Sequence, residues 1–483
     1  MSNDPQHNVA VALSSLKEVR SVYFVGIGGI GMSAIARYFL AKGVTVSGYD
    51  KTETALTQEL VKEGIPVHFH EDVAAIPKDL DLVVYTPAIP KEHTELVFYQ
   101  QNGFKVVKRS DVLGAISTDS FNICVGGTHG KTTVSTMVAH ILRHTGYGCS
   151  AFLGGISSNY GTNFWSSANI ENDTAVIEAD EYDRSFLKLN PDIAIITAMD
   201  ADHLDIYGDE ASLQQAFVDF GSKVKAGGLL ITRFGLKRTS AIKADRKWTY
   251  SLGNDAASVY ASDIKIVEGG YRFSVHLPGA IISGFELHMG GMHNVENAVA
   301  AIAVAHALEI DPEKIKAAIK DFKGVKRRFE YIIPLQQEQE GSYNYPVFID
   351  DYAHHPEELT ALLKSARSLF PQRRITVIFQ PHLFSRTKDF ASEFSSALAL
   401  ADRIILLPIY PARELPMEGV TSEMILKNIK KEEKHLLSKE SLLSWASSYV
   451  KTLDKEFGEV IITAGAGDID KLVQPLKEII EKA

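Results

Sequence analysis

The segment Gly126-Gly127-Thr128-His129-Gly130-Lys131-Thr132-Thr133 carries the residue types that handle phosphate. Glycines let backbone N–H groups converge on an anion, and a helix starting behind them adds its positive end. Lys131 supplies a cation for terminal phosphates and Thr132 a hydroxyl suited to magnesium. Val125 stands where the first glycine of the G-x-x-x-x-G-K-[ST] pattern would be, so this loop is one residue tighter. Downstream, Glu178, Asp180, Glu181 and Asp183 place four carboxylates in six residues, and Asp200-Ala201-Asp202-His203-Leu204-Asp205 adds an imidazole. Hard oxygen ligands are what magnesium takes beside phosphates, one or two carboxylates at a time. A solvated acidic loop and a structural histidine are the plain alternatives.

A second glycine cluster, Gly26-Ile27-Gly28-Gly29-Ile30-Gly31, forms a complete G-x-G-x-x-G unit, with Asp50 about twenty positions on. Its backbone suits a diphosphate, and Asp50 suits a ribose hydroxyl. Taken alone it points to a dinucleotide, NAD or FAD, or to a close strand–helix crossing. Thr86-Pro87-Ala88-Ile89-Pro90 follows a later apolar run, where an open parallel sheet places ligand contacts.

These clusters need strands to feed them and helices to leave them. Apolar runs at 22–25, 44–49, 81–85, 121–125, 174–177 and 193–197 read as buried strands. Val134, Met137, Val138, Ile141 and Leu142 make the stripe of a helix behind Lys131, and Met32, Ile35, Ala36, Phe39 and Leu40 do the same behind Gly31. Runs at 264–267 and 271–275 flank Glu268-Gly269-Gly270 and predict an antiparallel hairpin. His293-Asn294-Val295-Glu296-Asn297 opens a helix with Asn294 and Asn297 on one side. Lys323-Gly324-Val325-Lys326-Arg327-Arg328 reads as a linker, a solvated charge run or a phosphate clamp.

Beyond it, strands at 347–349, 375–379, 404–407 and 460–463 end in Asp350-Asp351-Tyr352-Ala353-His354-His355, Gln380-Pro381-His382-Leu383-Phe384-Ser385-Arg386, Pro408-Ile409-Tyr410 and Ala464-Gly465-Ala466-Gly467. Reactive residue types at each strand end put one rim of this sheet against a ligand. The alternation predicts an α/β chain of three domains. A Rossmann-like domain spans 1–117, a central P-loop ATPase-type domain with added antiparallel strands spans 118–325, and a doubly wound domain spans 326–483.

At 483 residues the chain exceeds one core, in line with that division. A net charge of -10 argues against nucleic acid as the partner. Cys124 and Cys149 have no paired spacing, which points to a reducing compartment. The N-terminal segment lacks a signal-peptide apolar core, and no apolar run approaches the roughly 18 residues of a membrane span. The expectation is a cytoplasmic protein with no membrane insertion.

Gly-Thr-His-Gly-Lys-Thr-Thr, Glu-Ala-Asp-Glu-Tyr-Asp-Arg-Ser-Phe, Asp-His-Leu-Asp, His-Asn-Val-Glu-Asn, Asp-Asp-Tyr-Ala-His-His-Pro and Phe-Gln-Pro-His stand here in one order. In that order they resemble the Mur ligases, which build the peptide of the peptidoglycan precursor, and the resemblance covers nearly the whole chain. With Gly-Ile-Gly-Gly-Ile-Gly-Met near the N-terminus, it implies the member that uses ATP to join L-alanine to UDP-N-acetylmuramate. A relative that adds a tripeptide to the same sugar is the nearer alternative, an NAD-dependent oxidoreductase the distant one.

On this resemblance the first loop holds the UDP-sugar diphosphate, through Gly28, Gly29, Ile30 and Gly31, with Asp50 and Thr86 beside them. ATP falls to Gly127, Thr128, His129, Gly130, Lys131, Thr132 and Thr133, and further to Asn297, Arg328 and Asp351. Thr132 would bind one magnesium (or manganese) ion and Glu178 and His203 the other. Lys131, His354 and Arg386 are implied in the chemistry, and His355 and His382 join Arg386 at the amino-acid site. Leu383 stands where the family more often has arginine, and Arg413 where a glycine precedes Glu414. A monomer or a homodimer is compatible with all of this.

Overall fold

The computed structural model describes residues 16–167, 174–182, 184–200, 204–267, 269–333, 345–412, 414–453 and 458–482. His203, Asp183 and Arg413 lie outside them.

The first sheet is parallel, with strands Val67–His68, Thr45–Tyr49, Ser21–Val25, Leu82–Tyr85 and Val106–Lys108 in spatial order. Ser21–Val25 starts at the centre, and the chain winds outward first to one side and then to the other. The order therefore reverses beside that strand, and a crevice opens at its carboxyl end. The first glycine loop and Thr86 both leave strands at this crevice, and helix Ile30–Ala41 runs back along the sheet.

The central sheet has ten strands among the described residues: Ala280–Leu287, Gly270–Leu277, Val259–Val267, Arg246–Ser251, Leu229–Arg233, Ile193–Ile196, Phe121–Gly126, Thr174–Glu178, Ser150–Phe152 and Phe164–Trp165. Phe121–Gly126 lies between two parallel neighbours, so the ends of three strands meet at the Lys131 loop. Its side chains alternate between faces, as a buried strand requires. Ile123 and Val125 join the core under helices Lys131–His144 and Met292–Ala307, whereas Cys124 joins Phe186, Phe217 and Phe220 on the other face. Alanines at 298, 300, 301, 303 and 305, all buried, let Met292–Ala307 approach its neighbours closely. The expected hairpin is present, with Val259–Val267 and Gly270–Leu277 antiparallel.

The first domain docks on the short-strand edge of this sheet. Tyr38 packs on Phe152 and Phe164, and Arg37 Nη1 donates to Asn163 Oδ1 at 2.7 Å. The third sheet orders Glu330–Ile333, Val347–Asp351, Glu459–Ala464, Arg374–Phe379, Arg403–Leu406 and Lys434–Leu436. Glu330–Ile333 is an antiparallel edge strand, and Lys434–Leu436 a short parallel one on the opposite edge. Neither is evident in the sequence, because strands of four and three residues are too short to carry a periodic signal.

Candidate active site

Helix Lys131–His144 begins directly after Gly130, whose φ of +82° is natural to glycine. Gly127, at φ +138°, is required more strictly: a Cβ there would meet Thr197 Oγ1 at 2.1 Å. Thr197 follows strand Ile193–Ile196 and reaches the loop, its hydroxyl donating to the His129 and Gly126 carbonyls. Thr128 is pinned as well, its N–H donating to Ala198 O and its Oγ1 accepting from Asp200 N–H. The residues at 127–133 thus form a turn wedged between three strand ends. Thr133 is buried in the first helical turn.

Lys131 Nζ donates to Gly127 O at 2.6 Å and to the Glu181 carboxylate at 2.8 Å. Thr132 Oγ1 donates to Glu178 Oε1 at 2.9 Å, and Glu178 Oε2 accepts from Ser135 Oγ and from Gly154 N–H. Glu178 terminates strand Thr174–Glu178. Thr132 and Glu178, which the family resemblance divides between two ions, are therefore direct partners. Asn297 is buried in the first turns of helix Met292–Ala307, and its Oδ1 lies 2.9 Å from where a Cβ on Gly130 would be. Its Nδ2 donates to Asn294 Oδ1, and Asn294 Nδ2 to Gly290 O.

One cleft of about 380 Å³ runs from the first glycine loop to Glu178, the partner of Thr132. Gly29, Ile30, Gly31, Thr86, Ala88 and Arg109 line one side; Leu153, Gly154, Glu178 and Asp180 line the other. The N–H groups at the start of helix Ile30–Ala41 have no acceptor within the helix and face an anion favourably. Gly28 N–H donates to Asp50 Oδ2 at 2.8 Å, while Asp50 Oδ1 accepts from Thr52 N–H. Asp50 thus braces the loop itself.

Sequence reasoning missed Arg109 and the partner of Lys131. Arg109 follows strand Val106–Lys108, sits over Gly31 and pairs with Asp180 at 3.4 Å. A Cβ on Gly31 would lie 2.4 Å from its Nη1, so this glycine makes room for the guanidinium. The only available signal was one more strand end on the crevice side.

The linker joins the last two domains. Lys326 N–H donates to Ile156 O, while Arg327 Nε donates to Asp350 Oδ2 at 3.1 Å. Arg328 is exposed; its charge acts on both His293 and Asp351. Asp351 Oδ2 accepts from Phe329 N–H and Oδ1 from Ala353 N–H, yet burial pushes its carboxyl up to about 6. His354 Nδ1 lies 2.9 Å from Tyr352 O, and its ring centroid is 6.0 Å from that of His382. His355 opens helix Pro356–Leu369 and packs on Phe390. Burial, then the His354 and Arg386 charges, hold His382 below its ordinary pKa. His382 Nδ1 and Arg386 Nη1 are buried with no hydrogen-bond partner among the described residues, which marks the pair as open to a ligand. Leu383 takes φ +71° at the start of helix Phe384–Asp389, and Glu414 braces that start by accepting from Ser385 N–H and Oγ.

Residues 21–120 match the family model described as Mur ligase family, catalytic domain; 125–305 match the Mur ligase middle domain, and 327–467 the Mur ligase, glutamate ligase domain. The chain belongs to the Mur ligase family. It is 46% identical over 469 residues to the UDP-N-acetylmuramate–L-alanine ligase of Porphyromonas gingivalis, covering 96% of this chain and 99% of that one. The Cytophaga hutchinsonii enzyme of the same name is 46% identical over 475 residues, with 97% and 98% covered. The crystal structure of the UDP-N-acetylmuramate–alanine ligase of Thermotoga maritima superposes with a TM-score of 0.75 at 30% identity, covering 96% and 98%. In this Mur ligase no helix among the described residues is long and apolar enough to cross a membrane.

Proposed function

We propose that this Mur ligase joins L-alanine to the lactyl carboxylate of UDP-N-acetylmuramate, consuming ATP, in peptidoglycan precursor synthesis. The observation that carries the reading is the shared cleft. It begins at a backbone anion site in the first domain and ends at Glu178, which is hydrogen-bonded to Thr132 of the phosphate loop. A UDP-sugar lying along it would bring its distal carboxylate to the γ-phosphate. The identities to ligases of this name support the same substrates.

The lactyl carboxylate attacks the γ-phosphorus, giving an acyl phosphate and ADP. The amine of alanine then attacks the acyl carbon, the C–O bond to phosphate breaks, and phosphate leaves. Two anions must approach one another, so positioned positive charge does most of the work. Lys131 supplies it from the loop, and loop N–H groups beyond Thr128, whose own is given to Ala198 O, orient the phosphate chain. Thr132 Oγ1 and the Glu178 carboxylate are hard oxygens 2.9 Å apart, a donor pair that fits magnesium or manganese. Bound there, the ion would neutralise charge on the transferring group. Asn297 and Asp351 flank the nucleotide in this reading, with Arg328 at its edge. Arg386 and the third-domain histidines receive alanine. With its pKa held low, His382 is neutral at pH 7, the form that can take a proton from the ammonium. The two buried free thiols suit a reducing compartment, and we assign the enzyme to the cytoplasm.

Phosphate release with UDP-N-acetylmuramate, ATP and Mg²⁺ tests this directly. L-Alanine should support turnover, and other amino acids and the tripeptide L-Ala-γ-D-Glu-meso-diaminopimelate should support far less. Turnover favouring the tripeptide would make the chain a peptide-recycling ligase instead.

A further inference from the structure

Glu181 is a buried carboxylate that the mechanism above leaves without a task. Its side chain is fully excluded from solvent, and burial pushes its pKa up against the opposing pull of Lys131. Its own backbone is held by hydrogen bonds at and beside the residue. Arg184 N–H and Tyr207 Oη donate to the Glu181 carbonyl at 2.9 and 2.6 Å, and Tyr182 N–H and Ser185 Oγ donate to Asp180. The carboxylate is therefore a fixed post rather than a flexible arm.

An ammonium has three donors. On Lys131, Gly127 O takes one at 2.6 Å and Glu181 another at 2.8 Å. Both acceptors are held, since Gly127 is wedged against Thr197 and the Glu181 carbonyl is bound by Arg184 N–H and Tyr207 Oη. We propose that Glu181 is a positioning residue for Lys131: with Gly127 O it clamps two of the ammonium's protons, so that the third is aimed at the phosphoryl group in transit. The proposal rests on reading 127–133 as the ATP loop.

The arrangement has an electrostatic signature. An anion next to Lys131 weakens its attraction for the phosphates of bound ATP while fixing its geometry for the transfer. Loss of the clamp should therefore appear in kcat and not in ATP affinity. Glu181→Gln keeps the shape and an acceptor oxygen but removes the charge. Glu181→Asp keeps the charge and withdraws it by one methylene.

The test measures kcat, the KM for ATP, the Kd for UDP-N-acetylmuramate and the thermal midpoint in wild type and both variants. For Glu181→Gln the expected result is a kcat reduced roughly 10- to 100-fold, the scale of a misplaced positioning group. The KM for ATP should be unchanged or lower, and the UDP-sugar Kd unchanged. Glu181→Asp should show a smaller kcat loss with the same unchanged affinities, and it carries the test if the glutamine variant does not fold. Full kcat in either folded variant overturns the proposal. So does a kcat loss in which the ATP KM and the UDP-sugar Kd rise together, because that is local structural damage. A wild-type enzyme that releases no phosphate from ATP would instead overturn the reading of the loop, ahead of any variant.

Discussion

The molecule contains two glycine loops of similar outline, and they differ in where the charge sits. Each follows a strand with parallel neighbours on both sides and opens a helix, at Ile30 in the first domain and at Lys131 in the second. In the first, Gly29 enters the helix at an ordinary φ of -64°, no basic residue lies on the loop, and Asp50 braces Gly28. The nearby cation, Arg109, comes from another strand end and is paired with Asp180. The second also takes positive φ, at Gly127 and Gly130 as the first does at Gly26, but here the cation is part of the helix itself. The first arrangement is suited to holding a diphosphate, because backbone dipoles bind without polarising a reacting atom strongly. The second puts a full charge and a hard-oxygen pair where a phosphoryl group would transfer. Under the proposed function, a shared scaffold divides into a site for binding and a site for chemistry.

The sharpest way to break that division is Lys131→Ala. Turnover should fall by on the order of 10²–10³ or more, as for other removed electrostatic groups, with the UDP-sugar Kd unchanged by calorimetry. Loss of both in a folded variant would mean that the loops do not work separately. Next in size is Thr132→Val, which removes the hydroxyl donated to Glu178. The Mg²⁺ concentration giving half-maximal turnover should rise roughly 10- to 100-fold, in line with the cost of disturbing ligand-shell contacts.

Gly31→Ala probes the first loop. Its Cβ displaces the Arg109 guanidinium, and a lost charged hydrogen bond of about 1.5 kcal/mol predicts roughly tenfold weaker UDP-sugar binding. The KM for ATP should stay fixed. The smallest effect is in pH. Asp351, with its pKa near 6, loses its charge below that pH, so turnover should decline there while UDP-sugar binding persists. Asp351→Asn should turn over slowly and lack this acidic limb. In stability the sign is opposite. Folded Asp350 and Asp351 hold protons up to about pH 6, and an unfolded chain releases them near 3.8, so their contribution weakens as pH rises through that window.

Both loops were legible in the sequence because glycine spacing, an adjoining strand and a helical stripe are local signals. So were Glu178, the antiparallel pairing of Val259–Val267 with Gly270–Leu277 and the strand ends of the third domain. Arg109 was not, since its approach to Gly31 depends on a sheet order that sequence does not print. Glu181 was visible as one of four clustered carboxylates, but nothing local marks which of them faces Lys131. Arg327 illustrates the same limit. In a basic run that reads as solvated, it turns inward to Asp350 and Arg328 stays exposed, a choice made by the third domain's packing. His203 and Arg413 lie outside the described residues, so the expected role of His203 rests on the family resemblance.

In the proposed reaction the cleft delivers a carboxylate to the phosphate loop. That delivery is tested most directly by supplying UDP-N-acetylmuramate labelled with ¹⁸O in both lactyl carboxylate oxygens and analysing the phosphate released with ATP and L-alanine. Attack by that carboxylate on the γ-phosphorus places one ¹⁸O in each phosphate, with the other kept in the amide carbonyl. Phosphate free of label would contradict the account, because the sugar's carboxylate would not have been the group that the Lys131 loop activates.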